Sequence, residues 1–82
     1  MYIVYVLKSL KVQKTYTGFT RNLERRLEEH NAGKSLYTRR YMPWKIVYAE
    51  EVDNRETARK REKYFKSAAG RRHLKKLFKE NC

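Results

Sequence analysis

The chain is short of the residues that staple, break and neutralise a fold. Its one cysteine is Cys82, the last residue. That excludes an internal disulfide framework and any cysteine-based zinc site, and it fits a reducing cytoplasm. The single proline, Pro43, bars a central-strand position where it stands. There is no internal repeat, low-complexity tract or linker. No apolar run reaches the roughly 20 residues of a membrane span. The apolar run from Tyr2 to Leu7 is too short for a signal peptide's apolar region and cleavage site. No helix is cleanly basic on one face and bulky-apolar on the other, so no membrane partner is expected. Acids are scarce as well: nine Asp and Glu stand against 21 Lys and Arg, for a formal net charge of +12. So small a chain with that charge repels itself, and an anionic partner is the natural expectation, nucleic acid first.

What is present is enough for a modest core. Hydrophobic residues make up 40% of the chain and aromatic ones 13%, which suits one small domain over residues 1–82 rather than a disordered tail. The run Tyr2-Ile3-Val4-Tyr5-Val6-Leu7 is β-branched and aromatic, and reads as a strand buried on both faces. Ser9 to Lys14 is the turn of a hairpin, and Thr15 to Thr20 is its second strand. Gly18 inside that strand marks a bulge or a close approach, by a phosphate or by the first helix. Asn22 is placed to cap a helix with Glu24 in its first turn, and Gly33 to end it. Lys34 to Met42 is basic and aromatic without a clear period, and reads as a loop. Trp44 to Glu50 forms a third strand, with Ile46 and Tyr48 on one face. Asp53 or Asn54 caps a second helix, Arg55 to Ser67, which Gly70 separates from a short third helix carrying Leu74, Leu77 and Phe78. The expected fold is α+β: a small three-stranded antiparallel sheet flanked by helices, in the order β-β-α-β-α-α.

Several charged groups point the wrong way for a surface. At about 100° per residue, Leu23 and Leu27 lie about 40° apart, and Arg26 and His30 fall within about 60° of Leu23. Glu62 shares the side of Ala58, Phe65 and Ala69 on the second helix. A carboxylate on an apolar side is costly unless something uses it. Taken singly, each has an ordinary explanation. Arg26 can lie flat with its head in water, His30 can be a satisfied or solvated histidine, and Glu62 can pair with Arg26 or a nearby lysine. Tyr5 and Tyr16 can be packing rings; to act in proton transfer, a tyrosine needs cationic neighbours that ease its ionisation.

Together, these residues resemble the GIY-YIG nuclease domain. Ile3-Val4-Tyr5 stands in the place of the first motif and Tyr16-Thr17-Gly18 in the place of the second. Ten residues after Tyr16 comes Arg26, and four later His30, where the family has an arginine and then a histidine or tyrosine. The family's metal-binding glutamate falls on Glu62. The run Pro43 to Tyr48 and the stretch Ala58 to Lys66 are similar to the small single-domain members, relatives of the nuclease domain that begins the excision-repair endonuclease. The first motif lacks its glycine and the second has Thr17 for isoleucine, while both tyrosines and Gly18 are kept. Some members carry a later asparagine; Asn81 is very near the terminus.

The resemblance implies an endonuclease that hydrolyses phosphodiester bonds, with DNA as the expected partner, and a role of the repair kind. It implies catalytic roles for Tyr5, Tyr16, Arg26, His30 and Glu62, with Glu62 anchoring one Mg2+ or Mn2+. A magnesium ion that keeps several waters needs no more than one carboxylate from the protein. The planar fork of Arg26 suits a phosphate oxygen. Either Tyr16 or His30 serves as the general base, with Tyr5 orienting the water or Tyr16. A second layer of basic residues (Arg39, Arg40, Lys45, Lys66, Arg71, Arg72) suits phosphate contacts, and Tyr37 and Tyr41 suit stacking on unpaired bases. The lack of a reader domain leads to an expectation of structure-based or weak sequence specificity. The competing readings are a non-catalytic DNA- or RNA-binding module of a repair or processing complex, and a merely structural basic protein. Oligomeric state stays open.

Overall fold

The apolar run at the start of the chain becomes the middle of the sheet. In a computed structural model, which describes residues 1–80 and side chains as far as Lys76, β1 (Tyr2–Ser9) pairs antiparallel with β2 (Thr15–Thr20) on one side and β3 (Trp44–Val52) on the other. Asn81, Cys82 and the side chains of Leu77 and Phe78 lie outside the described residues. A central strand with helices on both faces needs apolar residues at every position, which is why β1 is a continuous run rather than an alternating one. Val4 and Val6 face one way and pack with Ala58, Phe65 and Leu74. Tyr5 and Leu7 face the other way and pack with Trp44, Leu23 and Leu27. The α+β order expected from the sequence holds, with one short helix added.

Local signals set the helix starts. Helix α1 (Leu23–Asn31) begins where the Asn22 side chain accepts from the Arg25 N–H at 3.1 Å. It ends before Gly33, whose φ of +79° is a left-handed conformation that favours glycine. Helix α3 (Arg55–Lys66) is capped by Asn54, which accepts from the Thr57 N–H at 2.8 Å. Of the two caps the sequence offered, Asn54 is the one used.

Several expectations fail. The Lys34–Met42 stretch is not all loop: α2 (Leu36–Arg39) forms in it. Its Thr38 carbonyl accepts from the Trp44 indole N–H at 2.8 Å, so packing against the start of β3 holds a turn with no periodic signal. Strand β3 continues to Val52 and carries a bulge. Val6 pairs with Tyr48 but Leu7 pairs with Ile46, so Ile46 and Tyr48 fall on opposite faces. Val47 and Tyr48 both pack on the α3 side, and Ile46 is left 37% exposed.

The break between the last two helices is at Ser67, not Gly70. Ser67 takes an extended conformation, its hydroxyl donates to the Tyr64 carbonyl at 2.5 Å, and it accepts from the Gly70 N–H at 3.3 Å. Helix α4 (Ala68–Glu80) starts directly after it and leaves Ala69 exposed rather than on the inner side of α3. Gly70 lies in the first turn of α4, where a Cβ would collide with the Tyr64 carbonyl oxygen and sit 2.5 Å from the Phe65 Cα. It is glycine because α3 passes there.

Candidate active site

The face of the sheet under α1 gathers the polar residues. Register places Tyr5 opposite Gly18 and Leu7 opposite Tyr16, so both tyrosines rise on that face. The Tyr5 ring lies across Gly18: a Cβ there would meet the Tyr5 hydroxyl at 2.8 Å and the Tyr16 ring at 3.2 Å. A close approach at Gly18 is made by the neighbouring strand's tyrosine. Tyr5 is 1% exposed and its ring stands 6.4 Å from that of Tyr16.

His30 is buried completely between two hydroxyls. Its Nε2 is 3.2 Å from the Tyr5 hydroxyl and its Nδ1 is 2.8 Å from the Thr38 hydroxyl. A neutral imidazole has one donor and one acceptor, so one hydroxyl gives a proton to this ring and the other receives one. Burial, and then the nearby Arg26 charge, push the His30 pKa below its ordinary value, which keeps the ring neutral. The Tyr16 ring packs on His30 at 4.9 Å.

Arg26 projects from α1 beside this group and pairs with Glu29 at 3.3 Å. Burial works against its charge, but contact with the Tyr5 hydroxyl, with Glu29 and with the Tyr16 hydroxyl outweighs burial and holds its proton more tightly. Burial raises the Tyr5 pKa, Arg26 opposes that, and the charges of Tyr16 and Glu62 add to the rise. Glu62 is thus close enough to be felt at Tyr5, although it belongs to α3.

Two inward carboxylates on the α3 side have different fates. Arg61 grips Glu50 with both arms of its fork, at 2.9 and 3.0 Å, and the Tyr48 hydroxyl donates to the same carboxylate at 2.9 Å. Burial acts against the Glu50 charge, but these two partners hold its carboxyl below the usual carboxylate range. It clamps α3 to β3. Among the described residues, Glu62 has a long pair with Lys66, at 3.8 Å, and its side chain is 24% exposed. Its oxygens are available to something else. Among the described residues no three His, Cys, Asp or Glu converge, so a closed protein cage is absent there. One accessible carboxylate fits a hard divalent ion that keeps most of its water, and does not fit a structural zinc site.

The structure therefore brings Tyr5, Tyr16, Arg26 and His30 together, with Glu62 within electrostatic reach. The basic residues divide. Lys66 and Arg71 line a cleft of about 360 Å³ with Tyr16 and Tyr37. Arg39 and Arg40 border a separate hollow beside Leu36 and Tyr37. Lys45 is exposed on β3 and Arg72 is exposed on α4, outside that cleft. The sequence gives no sign of Thr38. It sits in an aperiodic stretch eight residues from His30, and only burial to 0% exposure marks it. Asn31 is another silent contributor: its amide bonds both the N–H of Trp44, at 2.6 Å, and its carbonyl, at 3.2 Å, and so ties the end of α1 to the start of β3.

Comparison with known proteins finds matches along most of the chain. The profile described as the GIY-YIG catalytic domain matches residues 1–77. A UPF0213 protein of Clostridium perfringens is 46% identical over 67 residues, which span 80% of this chain and 71% of that protein. One from Syntrophus aciditrophicus is 40% identical over 80 residues, covering 95% of this chain and 90% of the relative. A third, from Natronomonas pharaonis, is 45% identical over 65 residues, 78% of this chain and 75% of the relative. No solved structure gives a significant match.

Proposed function

Because the chain belongs to the GIY-YIG catalytic domain family, a family of nucleases, we propose that residues 1–82 form a metal-dependent endonuclease that hydrolyses phosphodiester bonds in DNA. The observation that carries this reading is the meeting of two tyrosines, an arginine and a histidine on one sheet face, with a loosely held carboxylate in reach. A structural basic protein has no use for that convergence.

Each residue has a task. Tyr16 borders the open cleft, with the Arg26 cation beside its hydroxyl. Acting as the phenolate, which Arg26 steadies, it takes the proton from the attacking water and becomes the neutral phenol. Arg26 also holds a non-bridging phosphate oxygen and stabilises the charge that grows on it. His30 is spent on Tyr5 and Thr38 with both ring nitrogens, so it serves from behind: it fixes the Tyr5 hydroxyl, which orients the water or Tyr16. This favours Tyr16 over His30 as the base. Glu62 anchors one Mg2+ or Mn2+, which, when bound, supplies Lewis-acid support to the phosphate and the leaving 3′ oxygen. Lys66 gives up Glu62 for a phosphate. The net charge of +12 supports nucleic acid as the partner, in a cytoplasmic role of the repair kind.

The test is a panel of supercoiled, branched and single-stranded DNA with Mg2+ or Mn2+, run with native protein and Glu62→Ala. Native protein cuts at least one substrate, and Glu62→Ala loses about 100-fold or more of that rate while still binding DNA. Equal cleavage by the two proteins sinks the metal role. Binding without cleavage by the native protein throughout the panel replaces the nuclease with a non-catalytic binding module.

A further inference from the structure

We propose that the groove between β2, α2 and α4 receives an unpaired stretch of the substrate DNA strand, with Tyr37 stacking on a base next to the phosphate held at Tyr16 and Arg26. This rests on the nuclease reading of the adjoining site. Two hollows, of about 360 and 400 Å³, share Thr15, Tyr37 and Arg71, and so make one continuous groove leading from Tyr16 toward Lys75. Its charged lining is entirely basic: Lys14, Lys66, Arg71 and Lys75. Among the described residues no acid lines it. A groove of that sign follows a phosphate backbone.

Tyr37 is the feature that selects the occupant. Its side chain stays in the groove wall and the residue is 48% exposed, which is a costly place for an aromatic ring without a partner. The ring is not loose. It stands 6.1 Å from that of Tyr16 and 5.6 Å from that of Tyr41, and Tyr41 rests on buried Trp44 at 6.5 Å. Rings reaching out from His30 through Tyr16 and from Trp44 through Tyr41 therefore meet at Tyr37, whose ring is held in place and half exposed. Stacking on such a face needs a base released from its own stack, which a paired duplex does not offer. An acidic peptide would match the charge but would leave the ring unused.

The experiment measures equilibrium binding without divalent metal, using a labelled single-stranded oligonucleotide, its blunt duplex and a poly-glutamate competitor. The single strand also carries 2-aminopurine, whose fluorescence is quenched when it stacks. The single strand binds more tightly than the duplex, and quenching appears with native protein and Tyr37→Phe. Tyr37→Leu loses the quenching and weakens single-strand binding about 5- to 140-fold, the range for one stacked base. Arg71→Gln lowers the slope of log affinity against log salt by about 0.7, one phosphate of a single strand. Native affinity in Tyr37→Leu overturns the proposal, and so does a duplex bound as tightly as the single strand or displacement by poly-glutamate at matched charge. Cleavage does not enter the measurement. A protein that stacks a base on Tyr37 but cuts nothing sinks the nuclease reading alone, and one that cuts but ignores Tyr37 sinks this proposal alone.

Discussion

Gly18→Ala tests how the two tyrosines are seated. An alanine Cβ would stand 2.8 Å from the Tyr5 hydroxyl oxygen, 3.0 Å from the ring carbon that bears it and 3.2 Å from the Tyr16 ring. Ordinary contact begins at 3.4 Å, so the hydroxyl must withdraw by about 0.6 Å, the difference between 3.4 and 2.8. Tyr5 has nowhere to go, being 1% exposed and bonded to His30 at 3.2 Å. Overpacking of this kind costs about 1–3 kcal/mol. Removing glycine's freedom from the unfolded chain returns about 0.4–1 kcal/mol. The net loss is about 1–2 kcal/mol, and a domain this size loses about 4–8 °C of Tm for each kcal/mol. The effect on cleavage should be larger than the effect on stability. A misplacement of about 1 Å near the reacting groups can cost about 100-fold, so a shift of about half that predicts a loss of at least about tenfold. Thermal unfolding by circular dichroism and single-turnover cleavage under saturating protein measure the two effects separately. A variant with native Tm would refute the seating of Tyr5 on Gly18. A lower Tm with an unchanged rate would keep the seating and remove Tyr5 from the chemistry.

Three further outcomes follow from the same geometry. Thr38→Val removes the hydroxyl 2.8 Å from His30 Nδ1 and leaves a buried nitrogen without a partner, at about 1–3 kcal/mol in denaturant unfolding; Thr38→Ser restores most of it, and equal stability of Val and Thr at 38 would dismiss the bond. Gly70→Ala drives a Cβ into the Tyr64 carbonyl oxygen and to 2.5 Å from the Phe65 Cα, so α3 and α4 must part and about 3 kcal/mol or more is lost despite alanine's better helix propensity; a native Tm would place α4 elsewhere. The folded pKa of His30 is depressed, so the unfolded chain takes up this proton first as pH falls. Stability should hold above about pH 6.5, the unfolded value, and fall below it toward the folded pKa. Glu50, held low by Arg61 and Tyr48 against burial, adds its loss only in the more acidic carboxylate range, so a Tm unchanged from about pH 7.5 to about pH 5 would contradict the burial of a neutral His30.

The sheet was legible because its information is local and strong. The Tyr2–Leu7 run admits little but a central strand, and Asn22 and Asn54 each announce a helix start through their own side chains. Of the five proposed site residues, the strand tyrosines Tyr5 and Tyr16 stood out by spacing, and Arg26, His30 and Glu62 also by pointing toward the core side of their helices. Their grouping was less visible. Nothing along the chain says that Glu50 is clamped by Arg61 while Glu62 has a long pair with Lys66, because both are acids on inward-facing positions. The Ile46 and Tyr48 faces were misjudged because alternation assumes an unbroken ladder, and the bulge at Val47 is a matter of pairing with β1.

The sequence by itself determined which residues are candidates for the site, the order of the elements apart from α2, and the sign of the chain's own charge. Those follow from periodicity, caps and net charge, which need no knowledge of distant residues. Only the tertiary structure decided who touches whom. It set Tyr5 over Gly18, closed His30 between Tyr5 and Thr38, moved the helix break to Ser67 and left the Tyr37 ring facing a basic groove. The physical reason is range: apart from the Ser67 break, these are contacts between different elements, created when the hairpin, α1 and the α3–α4 pair close around β1.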